Sequence, residues 1–240
     1  MKLYLASASP RRYEIMKMMP FAFAVHVPSF DERAYEQELL ADAAHRPAPA
    51  ELTCQIAKGK ALCAYRELKA QFPDESVLVL SADTIVVLDG EVFGKGETRE
   101  RSLDMLNRLN GKMHEVISAV WLVGDASPSV RSGDVGGSGS EEPARSIASA
   151  ERSGALAPEV MESVLEVSRV YFGMSDPALL ERYVDLYRPF DKAGAYGIQD
   201  GGALLIERID GNYHNIMGMP LRRVYLLLSR YLEADPKEAK

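Results

Sequence analysis

Apolar positions along this chain follow two periods in turn, first runs of strand length and then helical stripes, and each switch marks an element. Residues 3–6 read as a buried strand. Ser9 then stands as N-cap and Pro10 at the first position of a helix that continues through Met19. A second strand covers 22–27. Residues 51–70 are helical, with Leu52, Ile56 and Cys63 on one side and Lys58, Lys60, Arg66 and Lys69 elsewhere. Residues 77–82 form a buried strand, and 84–88, Asp89-Gly90 and 91–93 give a hairpin whose turn favours positive φ. An amphipathic helix over 98–109 closes at Asn110-Gly111, before a long strand at 114–123. A strand at 164–172 follows, then a helix opened by Ser175-Asp176-Pro177 and running to Tyr187. A strand at 202–209, turned by Asp210-Gly211, and a helix over 221–232 complete the set. No repeat period is present. The order predicts an α/β domain with a mixed sheet flanked by helices and joined by both hairpins and crossovers.

One segment breaks this pattern. Residues 124–154 hold 8 Ser and 6 Gly among 31 residues and almost no large apolar side chain. Such a stretch cannot bury enough area to offset its ordering entropy, so it reads as a mobile surface insertion. It interrupts a domain spanning 1–232, and 233–240 read as a polar tail. Elsewhere the chain is ordinary for a globular protein, with 47% hydrophobic residues among 240. Its 28 Lys+Arg against 35 Asp+Glu leave a net charge of -7, opposite in sign to a duplex-binding domain. Long nucleic acids and anionic membrane surfaces are therefore poor partners. Apolar runs such as 77–82 fall far short of the roughly 20 residues a spanning helix needs. The N-terminus lacks the apolar stretch of a signal peptide, which points to the cytoplasm. Cys54 and Cys63 lie nine residues apart on one helix, about 13 Å by helix rise, so they read as reduced core thiols. His26, His45, His114 and His214 are scattered, without the spacing of a structural zinc site.

Four constellations carry candidate chemistry. Ser7-Ala8-Ser9-Pro10-Arg11-Arg12 places free N–H groups, two hydroxyls and two guanidinium groups at the junction of a strand and a helix, which suits an oligophosphate. A capped helix with two solvated arginines is the plainer account. Asp83 interrupts two apolar runs, and a carboxylate there costs desolvation energy unless it binds a cation or accepts hydrogen bonds. Lys58, Lys60 and Lys95 are cations without carboxylate partners at helix spacing, each explicable as a surface lysine. Residues 191–199 enclose Tyr196 and Gln199 between glycine turns. Backbone can approach a ligand closely there, while Gln199 offers both a donor and an acceptor to a base edge; small-residue packing explains the segment equally well.

In combination these residues make the chain similar to the Maf family of nucleotide pyrophosphatases. The likeness rests on Leu5-Ala6-Ser7-Ala8-Ser9-Pro10-Arg11-Arg12, on Ala82-Asp83-Thr84-Ile85-Val86-Val87, and on Gly90-Glu91-Val92 with Lys95. Leu109-Asn110-Gly111 with His114-Glu115-Val116, residues 191–199 and Gly218-Met219-Pro220-Leu221 extend it. The resemblance implies a twisted mixed sheet in two lobes with a central cleft, as in inosine triphosphate pyrophosphatases. It also implies hydrolysis of a nucleoside triphosphate to the monophosphate and pyrophosphate with a divalent cation, Mg²⁺ before Mn²⁺ or Co²⁺, and a homodimer. By position, Asp83 matches the family's catalytic acceptor and Glu32 a second acidic, metal-binding position. Lys60 and Lys95 match phosphate-facing lysines, and Ser7 and Arg11 the triphosphate turn. Arg12, Thr84 and Gln199 match the positions that mark a branch preferring dTTP and UTP over 7-methyl-GTP. Asp191 and Lys192 fall in the same substrate-binding segment as Gln199.

Three departures stand out. Ser81 replaces a usual Gly, Gly96 follows Lys95 where Pro is usual and suggests a looser loop, and the stretch 33–50 is longer than typical. Two rival readings share these residues: a non-catalytic nucleotide-binding regulator of cell division, and the same chemistry on a different, modified nucleotide.

Overall fold

The computed structural model describes residues 1–41, 46–125 and 157–234. His45, residues 126–154 of the serine-rich segment and 235–240 of the polar tail lie outside the described residues. The described chain runs β1 (Lys2–Leu5), α1 (Pro10–Lys17), β2 (Phe23–Val25), α2 (Glu32–Ala41), α3 (Pro49–Gln71), β3 (Val77–Leu88), β4 (Glu91–Phe93) and α4 (Arg99–Leu109). It continues through β5 (Met113–Gly124), β6 (Val160–Phe172), α5 (Pro177–Tyr187), a 3₁₀ turn (Gly201–Leu205), β7 (Ile206–Asp210), α6 (Tyr213–Met217) and α7 (Leu221–Leu228). No helix among the described residues is long and apolar enough to cross a membrane.

The strands form one mixed sheet in the order β2-β1-β3-β5-β6-β7, with β4 also on β3. β1 runs parallel to β2 and β3, and the other pairs are antiparallel. Asp83, expected to interrupt two strands, instead lies inside a single 12-residue strand, β3. The reason is β5, which pairs continuously with β3 from Leu78 to Val87 and sets Asp83 opposite Ala119. On the other edge of β3, β1 pairs only with 77–80 and β4 only with 86–88. Residues 81–85 have no strand beside them on that edge, and the sheet opens there.

Because side chains alternate along a strand, β3 divides the core on both its faces. On one face Leu78, Leu80 and Ala82 pack with Leu5, Ile15, Met16 and Leu228, while Val86 and Leu88 join a separate core with Leu106, Val170 and Tyr183. Thr84 falls between them. On the other face Val77 and Val79 pack with Ala61, Ala64 and Leu68 of α3, and Ile85, Val87 and Ile117 form their own small cluster. Ser81 and Asp83 fall between those. Two lobes therefore share β3 and meet at its polar middle.

Several expectations are corrected. Gly124 belongs to β5 and not to the insertion: a Cβ there would lie 2.5 Å from the Val77 carbonyl oxygen. Asp125, also assigned to the insertion, accepts from Lys69 Nζ (3.0 Å), the Val77 amide (3.2 Å) and the Tyr65 hydroxyl. β6 begins at Val160, where it pairs with Gly124, earlier than expected. Residues 202–209 are a 3₁₀ turn and then a strand, since Gly202 lies against the Gly197 backbone. The last helix stops at Leu228, where Ser229 Oγ donates back to the Tyr225 carbonyl at 2.7 Å. Helix α2 was not foreseen because none of its ten residues is buried, which leaves no apolar stripe to read. Five-residue α6 is too short to show a period. Both cysteines are free but only half-buried, not core: Cys54 Sγ accepts from Trp121 Nε1 at 3.2 Å, and Cys63 Sγ lies 3.6 Å from Glu67 Oε1.

Candidate active site

The gap beside β3 is the mouth of a cleft of about 1270 Å³, above the roughly 300–1,000 Å³ of ordinary small-molecule pockets. Ser7, Arg11, Arg12, Glu32, Lys60, Asp83, Thr84, Lys95, Asp191, Lys192 and Gln199 all line it. Of the residues singled out for chemistry, Lys58 is not brought to it: its ammonium stands over the Trp121 ring, 5.5 Å from the centroid. No His or Cys lines this cleft among the described residues.

The turn after β1 supplies one wall. Ser9 caps α1, its Oγ accepting from the Arg12 amide at 3.5 Å, and Pro10 follows at the first helical position. Unpaired N–H groups at such a helix start favour an anion. Arg12 turns inward: Nε donates to the Gly218 carbonyl (3.0 Å), Nη2 to Thr84 Oγ1 (3.1 Å) and Nη1 to Ser7 Oγ (3.5 Å). Gly218 has φ +120°, a conformation that side chains rarely adopt, and so delivers its carbonyl where Arg12 and Thr84 need it. Burial lowers the Arg12 guanidinium from its ordinary value, and Asp83 and Glu32 oppose that shift.

The opposite wall comes from α3. Asp83 is only 6% exposed and accepts from Lys60 Nζ at 2.8 Å. The same ammonium lies 2.6 Å from Glu32 Oε2, so one cation from α3 joins a carboxylate of β3 to a carboxylate of α2. Lys60, listless in its own helix's charge pattern, thus finds both partners across the fold. Burial raises the Glu32 carboxyl, but Lys60, Lys95 and Arg12 outweigh it and hold the group below its usual range. Glu36, one turn further on, is pushed up by burial and by the negative charges of Asp83 and Glu32. It also lines the cleft, and sequence reasoning missed it; its spacing of four from Glu32 was the available signal.

Residues 190–200 close the far end. Arg11 Nη1 reaches Asp191 Oδ2 at 3.3 Å, linking the α1 turn to this segment. Lys192 pairs with Asp191 (3.1 Å) and Asp200 (3.7 Å). Burial raises the Asp191 carboxyl, yet Lys192 and Arg11 bring it below its ordinary value. Gln199 is exposed to the cleft, its amide nitrogen 3.4 Å from Asp200 Oδ2. The loop of Lys95 is not loose, contrary to the expectation from Gly96. Lys95 bridges Ala193 in strand fashion, the Gly194 amide donates to the Gly94 carbonyl (3.0 Å), and the Glu97 amide donates to the Phe190 carbonyl (2.9 Å). Gly96 itself is buried, with Ser102 Oγ where a Cβ would stand.

A helix start with two arginines, an ammonium shared by two carboxylates and a glutamine amide at the far end line one cleft, a set whose chemistry suits a phosphate ester. The Maf-like protein family model matches residues 2–231, and the chain belongs to that family. A dTTP/UTP pyrophosphatase of Symbiobacterium thermophilum is 36% identical over 230 residues, covering 96% of this chain and 94% of the relative. Those of Syntrophomonas wolfei (35% over 226 residues, 94% and 95%) and Thermotoga maritima (30% over 228 residues, 95% and 88%) are similar too.

Proposed function

We propose that this protein is a nucleoside triphosphate pyrophosphatase that hydrolyses dTTP and UTP to the monophosphate and pyrophosphate. The observation that carries this reading is the Asp83–Lys60–Glu32 constellation facing the Ser7–Arg12 turn across one cleft. The relatives named for dTTP and UTP support the choice of substrate. Ser7, Arg11 and the start of α1 bind the triphosphate. Asp83 takes a proton from the attacking water as its oxygen bonds to the α-phosphorus and the P–O bond to the β-phosphate breaks. Lys60, Lys95 and Arg11 neutralise charge gathering on the departing pyrophosphate. Gln199 reads the base edge, with donor and acceptor on one amide.

Asp83 and Glu32 also fit a divalent cation. Two hard carboxylates from different elements, without His or Cys beside them, suit Mg²⁺ over softer metals, with Mn²⁺ or Co²⁺ as substitutes. Among the described residues no three His, Cys, Asp or Glu side chains form a metal cage, so an ion held by Asp83 and Glu32 would need phosphate or water for its remaining ligands. When bound, such an ion polarises phosphoryl oxygens. The expected setting is the cytoplasmic nucleotide pool, with the protein a homodimer.

Product analysis tests the reading. Purified protein with dTTP should yield dTMP and pyrophosphate in equal amounts, stop on chelation and resume with Mg²⁺. Nucleotide binding without turnover would favour the regulator, and a panel favouring a modified nucleotide would favour the other rival.

A further inference from the structure

Glu32 reaches the site on a helix with little hold on the fold: among the described residues α2 buries no side chain and packs on α3. What fixes it lies on one face of α3. Lys60 and Glu67, seven residues apart, stand two helical turns along the same face. At the Glu67 end, Oε1 accepts from the Ser29 amide (3.0 Å) and from the Ser29 hydroxyl, and Oε2 lies 2.7 Å from His26 Nε2. Beside Lys60, at the other end, Gly59 leaves a notch that Phe30 fills: a Cβ there would come within 2.7 Å of the Phe30 ring, with Tyr35 at 3.2 Å. The segment from His26 to Glu32 is thus laid along α3 and fastened at Glu67, at Gly59 and at Lys60.

We infer that Glu67 is a positioning residue for Glu32, pinning Ser29 and His26 so that the acidic end of α2 arrives at Lys60 and Asp83. The inference rests on the functional reading above. Glu32 is three chain steps from Ser29, a reach of at most about 10 Å, so fixing the first confines the second. Burial raises the Glu67 carboxyl, but Ser29, His26 and Cys63 outweigh it and bring it down to about 2, so the clamp keeps its charge at neutral pH. Glu67 is absent from the cleft lining, so the role assigned to it is one of position.

A double-mutant cycle with a proteolysis arm tests this. Glu67→Ala should lower kcat/KM for dTTP by about tenfold to a hundredfold, the usual cost of losing a group that orients a ligand-binding residue. Glu67→Gln, which can still accept from Ser29, should recover most of it. In a Glu32→Ala background Glu67→Ala should add nothing, because its effect passes through Glu32. Trypsin cleavage after Arg33 in α2 should accelerate in Glu67→Ala while the melting temperature stays within a few degrees. A multiplicative loss in the double variant, or unchanged cleavage at Arg33, would overturn the assignment; Ser29→Ala repeats the test should Glu67→Ala fold poorly. Wild-type protein without pyrophosphate release would overturn the functional reading alone, and the cleavage rates would still decide the clamp.

Discussion

Lys60 places one positive charge between two carboxylates, and that arrangement separates the roles of charge and of proton transfer. Asn at position 83 keeps an oxygen to accept from Lys60 but cannot take a proton. Asp83→Asn should therefore melt close to the wild type while kcat for dTTP falls by about 10²–10⁴-fold, the range for losing a general base. Steady-state kinetics beside a melting curve checks both halves, and near-normal turnover would remove Asp83 from the chemistry. Asp83 was legible in the sequence as a charge among apolar neighbours. Its partner was not, because Lys60 sits 23 residues away on a helix whose surface shows several similar lysines. Resemblance marked Lys60 as facing phosphate, but only the meeting of α3 with the middle of β3 pairs it with Asp83. Glu32 was reached by resemblance alone, for no periodicity marks α2.

At the scale of elements, β3 teaches the clearest lesson. Its two apolar halves were readable, but a polar break looks the same in one dimension whether the chain turns or runs straight on. The continuous ladder to β5 settles it, and pairing between distant segments is not written in local pattern. The junction of β5 with the 190–200 segment yields a test. His114 is 1% exposed, its Nε2 2.8 Å from the Tyr196 hydroxyl and its Nδ1 without a partner. Burial lowers its pKa from 6.5 to about 4. As pH falls, the unfolded chain takes up this proton first, so the native state loses stability between about pH 6.5 and about pH 4 and keeps it above. Denaturant unfolding should show about 2 kcal/mol less stability at pH 5 than at pH 7 from this group. His114→Gln should flatten that limb of the profile; an unchanged slope would mean the imidazole titrates normally in the fold.

Across the whole molecule, a net charge of -7 coexists with a cleft into which Arg11, Arg12, Lys60, Lys95 and Lys192 project. The total argues against long polyanions, while the local excess of cations suits a single nucleotide. That nucleotide would touch both lobes, through the α1 turn on one side and residues 190–200 on the other, so binding should stabilise the folded chain as a unit. Asp83→Asn lets the effect be measured without turnover. With dTTP at a hundred times its Kd, linkage gives about 2.7 kcal/mol, or a rise in melting temperature on the order of 5–10 °C for a chain of this size. UTP should act alike, and GTP should shift the curve little. Adding Gln199→Glu replaces the amide donor with an acceptor and sets a negative charge beside Asp200, so the pyrimidine shift should shrink while any purine shift is unchanged. Equal shifts for all nucleotides in both variants would show that the cleft holds the triphosphate without reading the base, and specificity would then have to be sought outside residue 199.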